Sequence, residues 1–470
     1  MSPTAIENDI RARMTADGAP PLVTEAFINN RRRWRDGDLG VIPGATLGQL
    51  PPFPRLQDLD ELAPEGETAI ARTVVIRLNG GLGTSMGLDQ AKSLMVAKNG
   101  LSFLDIIIRQ VEFLRRRARA PLPLLLMNSF STDADTHAFL SRQHPQFANP
   151  SGLPLSFCQH RVPKLEAATG APAVWPENPE LEWCPPGHAD IYMALQTTGL
   201  LDTLLAAGFR YAFVANADNL GAILHMGILG HLATQRIPFL MEVTARTESD
   251  RKGGHLACNA ATGRLLLRES AQCPPAETDD FQNIRKYTLF NTNNLWLNLE
   301  ALADMLRAHE GLPQLPLIVN AKTVDPVRAD STPVVQLEAA MGAAISCFED
   351  AAALVVPRSR FAPVKTTDDL LAVRSDLYTL GPEHQVALHP QRFTPPPDIQ
   401  LDRRYYRHIA DFEKRFPKGP PSLRQCDALK IDGDFRFGAN VRIEGAVHLH
   451  NPSPAPKHIP DHTRLHTPAE

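Results

Sequence analysis

A glycine-rich turn near residue 80 is the part of this sequence best suited to bind a phosphate. Residues 78–87 read Leu-Asn-Gly-Gly-Leu-Gly-Thr-Ser-Met-Gly, and Lys92 follows them. Glycine lets the backbone approach a ligand closely, and main-chain N–H groups together with one cation are suited to hold an anion. The spacing fits neither a G-x-x-x-x-G-K-[ST] loop nor a dinucleotide-binding G-x-G-x-x-G. The segment alone therefore predicts a phosphate-binding loop, with a tight turn that binds nothing as the alternative.

Alternating apolar segments predict the scaffold that positions this loop. Buried strands are predicted at 73–78, 122–127, 211–215 and 238–243, and helices at 103–117, 191–207 and 334–347. Strands that alternate with helices predict an α/β fold, with a Rossmann-like mixed, mostly parallel sheet covered on both faces. Ligands of such sheets bind at the carboxyl ends of the strands, where the glycine-rich turn is expected to lie.

The chain is predicted to have three parts. Residues 1–70 form an N-terminal helical segment, residues 71–385 the large central domain, and residues 386–470 a linker with a C-terminal repeat. In the repeat, apolar residues recur every six positions at Leu429, Phe435, Val441 and Val447, with turn-forming residues between them. This spacing predicts a short parallel β-helix, with a meander of short strands as the alternative. A helix is expected near 401–415, and the residues after Pro452 are expected to form a loose tail.

Composition limits the class of protein. The net charge of −4 argues against non-specific binding to nucleic acid or to anionic membranes. Six scattered cysteines without a C-x-x-C pair suggest reduced thiols in a cytoplasmic protein. No signal peptide is visible, and no apolar run approaches the roughly 18 residues of a membrane span. A protein free of membrane and nucleic acid partners is expected.

Two polar groups follow the predicted strand at 211–215. Asp218 is a candidate metal ligand, because a carboxylate at the end of a buried strand needs a partner and Mg²⁺ prefers oxygen ligands. Helix N-capping is the alternative for this aspartate. Asn216 lies two residues earlier, and therefore on the same face of the strand.

Other side chains suited to bind a ligand are more widely spaced. Lys365 follows an apolar segment at 361–364, which would bury its stem and turn its charge into a cleft; an ordinary solvated lysine is the alternative. Asn291 and Asn293 are two residues apart on a predicted strand and could bind sugar hydroxyls or only neighbouring strands. His188, taken alone, is as well explained by a structural role.

Seven stretches of sequence, in the same order along the chain, resemble the UDP-glucose pyrophosphorylases (UTP–glucose-1-phosphate uridylyltransferases). They are residues 78–87, 157–164, 183–190, 214–221, 252–254, 290–296 and 356–365. The resemblance is dense over residues 70–380. It implies a nucleotidyltransferase domain that joins UTP to glucose-1-phosphate by Mg²⁺-assisted attack on the α-phosphate and releases pyrophosphate. The oligomeric state, monomer or dimer, is left open.

The resemblance also implies a role for each matching residue. Contacts to the phosphates, and thus the catalytic roles, fall to Lys92, Lys365 and Asp218, of which Asp218 would also hold Mg²⁺. The uracil and ribose would be bound by Leu78, Asn79, Gly80, Gly81, Gln159 and Gly187. The sugar phosphate would be bound by His188, Asn216, Asn291 and Asn293.

The chain departs from the family pattern in places. Asp-Gln-Ala at 89–91 precedes Lys92 where the family has Gly-Pro, Ala189 replaces a common glycine, and the C-terminal repeat ends early. The same chemistry on galactose-1-phosphate or N-acetylglucosamine-1-phosphate is an alternative function. A non-catalytic nucleotide-sugar-binding protein is another, since a fold does not prove activity.

Overall fold

The structure is a computed structural model that describes residues 2–392 and 394–466. Its strands are β1 (Leu47–Gly48), β2 (Thr73–Leu78), β3 (Val96–Lys98), β4 (Leu101–Ser102), β5 (Leu124–Asn128), β6 (Ser156–Cys158), β7 (Val162–Pro163), β8 (Leu165–Glu166), β9 (Trp183–Cys184), β10 (Tyr211–Asn216), β11 (Phe239–Ala245), β12 (His255–Asn259), β13 (Leu265–Arg268), β14 (Leu289–Asn298), β15 (Ile318–Thr323), β16 (Pro333–Glu338), β17 (Ala352–Val355), β18 (Tyr378–Leu380), β19 (Val386–Leu388), β20 (Asp398–Leu401), β21 (Ser422–Asp432), β22 (Phe435–Phe437), β23 (Arg442–His450), β24 (Lys457–Ile459) and β25 (Arg464–His466).

The α-helices lie between these strands and at the amino end. They are α1 (Pro3–Ala16), α2 (Pro21–Arg35), α3 (Ala63–Ala69), α4 (Phe103–Ala118), α5 (Asp133–Gln143), α6 (Asp190–Thr197), α7 (Leu200–Ala206), α8 (Met226–Thr234), α9 (Thr278–Phe281), α10 (Leu299–Ala308), α11 (Thr367–Arg374), α12 (Arg403–Tyr406) and α13 (Ile409–Arg415). None of the helices within the described ranges combines the length and apolar character that crossing a bilayer requires.

A ten-stranded mixed sheet forms the centre of the molecule, which confirms the predicted mixed α/β architecture. Its main path runs β1-β12-β14-β10-β2-β5-β6. The strands β10, β2, β5 and β6 are parallel neighbours, whereas β14 is antiparallel to β10. Leu78 pairs with Asn216 at the carboxyl ends of β2 and β10. The glycine-rich turn and the Asn216–Asp218 segment therefore leave the sheet side by side.

Both faces of this sheet are buried. On β2, Val75 belongs to one apolar cluster, and Val74 and Ile76 belong to another. Successive side chains of a strand point to opposite faces, so the continuous apolar run at 74–76 covers both sides. Helix α4 packs in the first cluster, and α6, α7 and α10 pack in the second.

Two of the predicted helices differ from the structure. Residues 333–338 form β16, which pairs with β15 and β8, and only a 3₁₀ segment follows at Met341–Cys347. The β-branched pair Val334-Val335 suits a strand, and pairing on both sides overrides the helical periodicity. The helix expected over 191–207 is divided into α6 and α7 by Gly199, whose φ is +69°. A left-handed residue of this kind ends a helix.

The C-terminal strands form parallel sheets. One has the order β20-β21-β23-β25, and β22 pairs with β24. The apolar residues spaced six apart, Leu429, Phe435, Val441 and Val447, are buried. The segment after Pro452 was expected to be a loose tail, but it contains β24 and β25, each paired with an earlier strand. Residues 467–470 of that tail lie outside the described residues.

Candidate active site

A cavity of about 300 Å³ lies at the carboxyl ends of β2 and β10. Its lining is Leu78, Asn79, Gly80, Gly81, Lys92, Ser93, Met127, Gln159, Pro185, Gly187, His188, Asn216, Ala217 and Asp218. All the residues that the sequence assigned to phosphate, uracil and sugar-phosphate contacts therefore meet here, with the exception of Lys365, Asn291 and Asn293. These residues lie close together because the strands that precede their loops are parallel, which brings the carboxyl ends of the strands to one edge of the sheet.

The start of the glycine-rich turn is fixed by buried polar contacts. The Asn79 amide donates to Asn128 Oδ1 at 2.7 Å and to Thr136 Oγ1 at 3.0 Å. A Cβ atom at Gly80 would lie 2.6 Å from Nε2 of Gln159, while one at Gly81 would meet nothing within 4 Å. Gly80 is therefore required for the Gln159 side chain to lie over the turn, and Gly81 leaves open space for a ligand.

Gln159 carries an unused amide at the cavity wall. Its main-chain N–H donates to the Asn128 carbonyl at 2.8 Å, which continues the pairing of β5 and β6. The side chain is 9% exposed and has no hydrogen-bond partner among the described residues. A side-chain amide offers one acceptor and two donor hydrogens, so this group is free to read a planar ring edge.

Lys92 and Asp218 form an ion pair across the cavity. Lys92 Nζ lies 2.6 Å from Asp218 Oδ2, and the side chains are 16% and 21% exposed. The Lys92 main-chain N–H donates to the Gly81 carbonyl at 3.1 Å, which ties the lysine to the glycine-rich turn. Oδ1 of Asp218 is buried and has no hydrogen-bond partner within residues 2–392 and 394–466. One carboxylate oxygen thus remains available for a cation.

The Gly187–His188 segment closes another side of the cavity. The φ of Gly187 is +87°, and a Cβ atom there would lie 2.5 Å from the Ala339 carbonyl oxygen. His188 Nδ1 accepts a hydrogen bond of 2.8 Å from the Met341 N–H. Burial lowers the pKa of His188 to about 4. The ring is therefore neutral near pH 7, and because Nδ1 is the acceptor, Nε2 carries the proton and is a donor.

Lys365 lies beside this cavity without lining it. Its side chain is exposed, with Nζ 6.0 Å from the centre of the Phe361 ring. The preceding residue, Val364, donates its N–H to the Asp218 carbonyl at 3.2 Å. The main chain next to Lys365 is thus hydrogen-bonded to the segment that carries Asp218, and only the long Lys365 side chain lies outside the cavity.

Glu269 is a neighbour of Lys365 that the sequence analysis missed. Burial raises the pKa of Glu269, and the charge of Lys365 acts in the opposite direction. A Cβ atom at Gly254 would lie 2.5 Å from a Glu269 carboxylate oxygen. Gly254 belongs to one of the family-like stretches, so this glycine was the available signal, while nothing in the local pattern singled out Glu269 itself.

Asn291 and Asn293 bond to each other. The Asn291 amide donates to Asn293 Oδ1 at 2.9 Å, and the Asn293 N–H donates to Asn291 Oδ1 at 2.9 Å. The φ of Asn293 is +58°, and the pairing of β11 with β14 shifts register next to it, between Met241 and Val243. This β-bulge breaks the regular alternation that the sequence pattern assumed. Their assignment to sugar hydroxyls stays a prediction.

A buried polar network connects the Asp218 segment to the segment that carries Lys365. The Asn219 amide donates to Asn294 Oδ1 at 3.2 Å and to the Arg360 carbonyl at 3.1 Å, while Asn219 Oδ1 accepts from the Ala362 N–H at 3.0 Å. Arg360 forms two hydrogen bonds with Glu242, of 2.5 and 2.7 Å. The network fixes the position of the Asp218 segment relative to the segment that carries Lys365.

The sequence is similar to known proteins over most of its length. Residues 49–444 match the model of the UTP–glucose-1-phosphate uridylyltransferase family. The chain is 41% identical to the UTP–glucose-1-phosphate uridylyltransferase of Solanum tuberosum over 442 residues, which cover 93% of this chain and 90% of that protein. It is 41% identical to the Saccharomyces cerevisiae enzyme over 386 residues, or 82% of this chain and 75% of that one.

Solved structures of UDP-glucose pyrophosphorylases are also similar to this chain. A mutant UDP-glucose pyrophosphorylase from Leishmania major, in complex with UDP-glucose, superposes with a TM-score of 0.92 at 41% identity and 99% coverage of both chains. A Trypanosoma brucei protein described as UDP-glucose phosphorylase gives a TM-score of 0.88 at 41% identity, with 98% of this chain and 100% of that chain covered. The chain therefore belongs to the UTP–glucose-1-phosphate uridylyltransferase family.

Proposed function

We propose that this protein is a nucleotidyltransferase that makes UDP-glucose and pyrophosphate from UTP and glucose-1-phosphate. The observation that carries the proposal is the single cavity in which Lys92, Gln159, His188 and Asp218 meet the glycine-rich turn. Family membership supports the same reaction. The product is an activated sugar, so the activity belongs to carbohydrate metabolism.

The nucleotide is proposed to lie along the glycine-rich turn. Gln159 would read the uracil edge, because its free amide offers a donor and an acceptor to match N3–H and a carbonyl. Main-chain groups of residues 78–81 and of Gly187 would hold the base and ribose, since glycine leaves them accessible. Gly80 supports this role because any side chain there would displace the Gln159 amide.

Charge neutralisation is the main chemical task of the site. UTP and glucose-1-phosphate are both anions, and their mutual repulsion opposes the attack on the α-phosphate. Lys92 is proposed to leave Asp218 and contact the triphosphate, and Lys365 would approach it from the cavity edge. The long, exposed side chain of Lys365 supports such an approach.

Asp218 fits the Mg²⁺ that the family reaction implies. Its buried Oδ1 has no hydrogen-bond partner in the part of the chain that the structure describes. Mg²⁺ is commonly held by one or two carboxylates with substrate phosphate oxygens. When bound, Mg²⁺ would neutralise charge on the phosphate oxygens. The residues of this chain would then position the two substrates in line.

The sugar phosphate is proposed to bind at His188 and Asn216. The neutral His188 ring would donate from Nε2 to the sugar phosphate, and it is not needed as a base because the attacking phosphate oxygen is already ionised. Asn216 lies on β10 two residues before Asp218 and would contact the same substrate. Asn291 and Asn293 are proposed to bind sugar hydroxyls after their mutual hydrogen bonds rearrange.

Pyrophosphate release from UTP, Mg²⁺ and glucose-1-phosphate tests the proposal. Lys92→Met and Asp218→Asn should each remove most of the activity. A second Lys–Asp pair lies outside the cavity lining, with Lys286 Nζ 2.7 Å from Asp280 Oδ2. This pair provides the matched controls Lys286→Met and Asp280→Asn. Wild-type turnover in both cavity variants would reject the site. UDP-glucose binding without any turnover by the wild type would instead support a binding protein.

A panel of sugar phosphates tests the substrate. Glucose-1-phosphate should give a higher kcat/KM than galactose-1-phosphate or N-acetylglucosamine-1-phosphate. A preference for either of the other two sugars would keep the nucleotidyltransfer but reject the glucose assignment. Removal of Mg²⁺ by a chelator should stop turnover, and added Mg²⁺ should restore it.

We also propose a finer division of the chain. Residues 1–70 would be a helical segment, 71–385 the catalytic domain, and 386–470 a linker with a short parallel β-helix. The parallel pairing of β20, β21, β23 and β25 supports the β-helix. Six cysteines without a disulfide among the described residues support a reducing, cytosolic compartment. Monomer and dimer both remain open, and sedimentation would distinguish them.

A further inference from the structure

A second cavity lies on the opposite face of β2 from the nucleotide cavity. Its volume is about 310 Å³, and its lining includes Val75 and Arg77 of β2, residues of α4 and the segment 223–227. Leu78 lines the nucleotide cavity, and Arg77 precedes it in the strand, so the two side chains point to opposite faces. The uridylyl transfer proposed above makes no use of this second cavity.

Arg77 is a buried cation with unused donors. Its side chain is 3% exposed. Nη2 donates to the Ala222 carbonyl, but Nε and Nη1 are buried and no described residue provides them with a hydrogen-bond partner. The guanidinium lies 5.4 Å from the centre of the Phe213 ring, which attracts a cation but accepts no ordinary hydrogen bond. Buried polar groups without partners are costly, so these donors require an acceptor.

The buried charges around Arg77 do not balance. Glu242 is fully buried and forms two hydrogen bonds with Arg360, whose Nη2 also donates to the Ile223 carbonyl at 2.8 Å. Arg77 donates to the neighbouring Ala222 carbonyl, so no hydrogen bond between the described residues pairs its charge with Glu242. Burial, together with the charge of Arg360, lowers the pKa of Arg77 to about 9, and the group remains a cation at pH 7. One positive charge is left over.

The rest of the cavity limits the size and polarity of its occupant. Val75, Val111 and Leu224 are buried apolar wall residues. His225 Nδ1 has no hydrogen-bond partner among the residues that the structure describes. Further out, the lining contains the exposed Asp60 and the pair of Arg117 and Glu383, which are 3.3 Å apart. These outer charges are screened by water and do not neutralise the buried guanidinium.

We propose that this cavity binds a small organic monocarboxylate. The carboxylate would accept from Nε or Nη1 of Arg77, and the apolar body would contact Val75, Val111 and Leu224. A single excess positive charge matches a monoanion, whereas a dianionic phosphate would bury a second, unpaired charge. The volume is at the lower end of the range for small-molecule sites, which suits a metabolite of a few carbon atoms.

Isothermal titration of the full-length protein tests the proposal. Acetate, butyrate and inorganic phosphate would be titrated separately at matched ionic strength, against wild type, Arg77→Met, Ala63→Trp and Arg307→Met. Ala63 lines the cavity and is partly exposed, so a tryptophan there would fill cavity space while leaving the Arg77 guanidinium in the chain. Arg307 is 75% exposed and lies outside the cavity lining, so its variant controls for the loss of one arginine charge.

We expect one carboxylate to bind per chain, with butyrate tighter than acetate and phosphate weakest. Arg77→Met and Ala63→Trp should each weaken butyrate binding by about tenfold or more, and Arg307→Met should not change it. Without carboxylate, Arg77→Met should melt no lower than wild type, since it removes an unpaired buried charge. Equal binding by wild type and Ala63→Trp, stronger binding of phosphate, or no saturable binding would each overturn the proposal.

Discussion

Lys92 Nζ lies 2.6 Å from Asp218 Oδ2, so the cation and the carboxylate of the candidate site neutralise each other. Both are mostly buried, at 16% and 21% exposure, and the lysine main chain bonds to the Gly81 carbonyl. In the proposed reaction, substrate binding would exchange this ion pair for new partners. The lysine would gain phosphate oxygens, and the carboxylate would gain a metal ion. The pair keeps two charges compensated until the substrates arrive.

The first prediction concerns this exchange. Lys92→Met and Asp218→Asn should each lower kcat/KM by about 10²-fold or more, because each removes a charge that stabilises the transferring phosphate. The double variant should lose much less than the product of the two losses, since the residues act together. Steady-state kinetics on the four proteins measures the coupling. Fully multiplicative losses would show that the residues act independently.

The second prediction concerns the glycine-rich turn. Gly80→Ala should raise the KM for UTP about tenfold, because its Cβ would lie 2.6 Å from Gln159 Nε2 and push the amide away. Gly381→Ala is the matched control, since its Cβ would meet only the Gln385 carbonyl oxygen at 3.8 Å. If Gly80→Ala binds UTP as the wild type does, Gln159 does not read the base. Selectivity between UTP and CTP provides a second measure of the same contact.

The third prediction concerns pH and His188. Burial lowers its pKa to about 4, against a value near 6.5 in the unfolded chain. Between these values the unfolded state binds the proton and the folded state does not, so His188 makes stability fall as pH falls from 6.5 to 4. Its contribution to the slope is at most about 1.4 kcal/mol per pH unit.

His188→Asn removes that proton and should flatten the dependence of unfolding free energy on pH over this interval. Urea unfolding at several pH values measures the slope. His255, whose pKa burial lowers to about 3, titrates in both proteins and cancels in the comparison. Equal slopes in wild type and variant would mean that His188 keeps an ordinary pKa.

The fourth prediction concerns the buried pair of Glu242 and Arg360. Glu242→Gln should lower the free energy of unfolding by about 3–5 kcal/mol, because it leaves buried guanidinium charges uncompensated. Trp296 Nε1, which donates to Glu242 at 2.8 Å, reports the change through its fluorescence. Asp304→Asn, which removes a partner of the exposed Arg307, should change stability by less than about 0.5 kcal/mol. A similar small effect for Glu242→Gln would contradict the prediction.

Much of the site was predictable because parallel strands bring their carboxyl ends together. The pairing of Leu78 with Asn216 follows from two apolar strands that each end in a polar loop, and the family-like stretches identified those loops. Another family-like stretch, residues 157–164, identified Gln159 as a candidate site residue. The pattern of residue types is a local property. It was sufficient to predict a strand and the loop after it wherever the backbone geometry was regular.

Irregular geometry accounts for what the sequence did not predict. The left-handed φ of Asn293 creates a bulge, and no alternation pattern reveals it. Residues 334–347 have helical spacing, but pairing with β15 and β8 favours a strand at their start. The unpaired charge of Arg77 could not be predicted from the sequence, for a different reason. It stands in an otherwise apolar strand, and only the three-dimensional arrangement shows that Glu242 is already engaged with Arg360.

The apolar cluster that contains Val75 of the central sheet also contains Leu429, Phe437 and Ile459 of the C-terminal strands. These strands therefore form part of the same hydrophobic interior as the central sheet. A fragment cut before residue 420 would expose apolar side chains such as Phe416, which stacks on Phe437, and would be prone to aggregate. Attempts to make a minimal version of this protein should keep the C-terminal strands, even though none of them contributes a side chain to the nucleotide cavity.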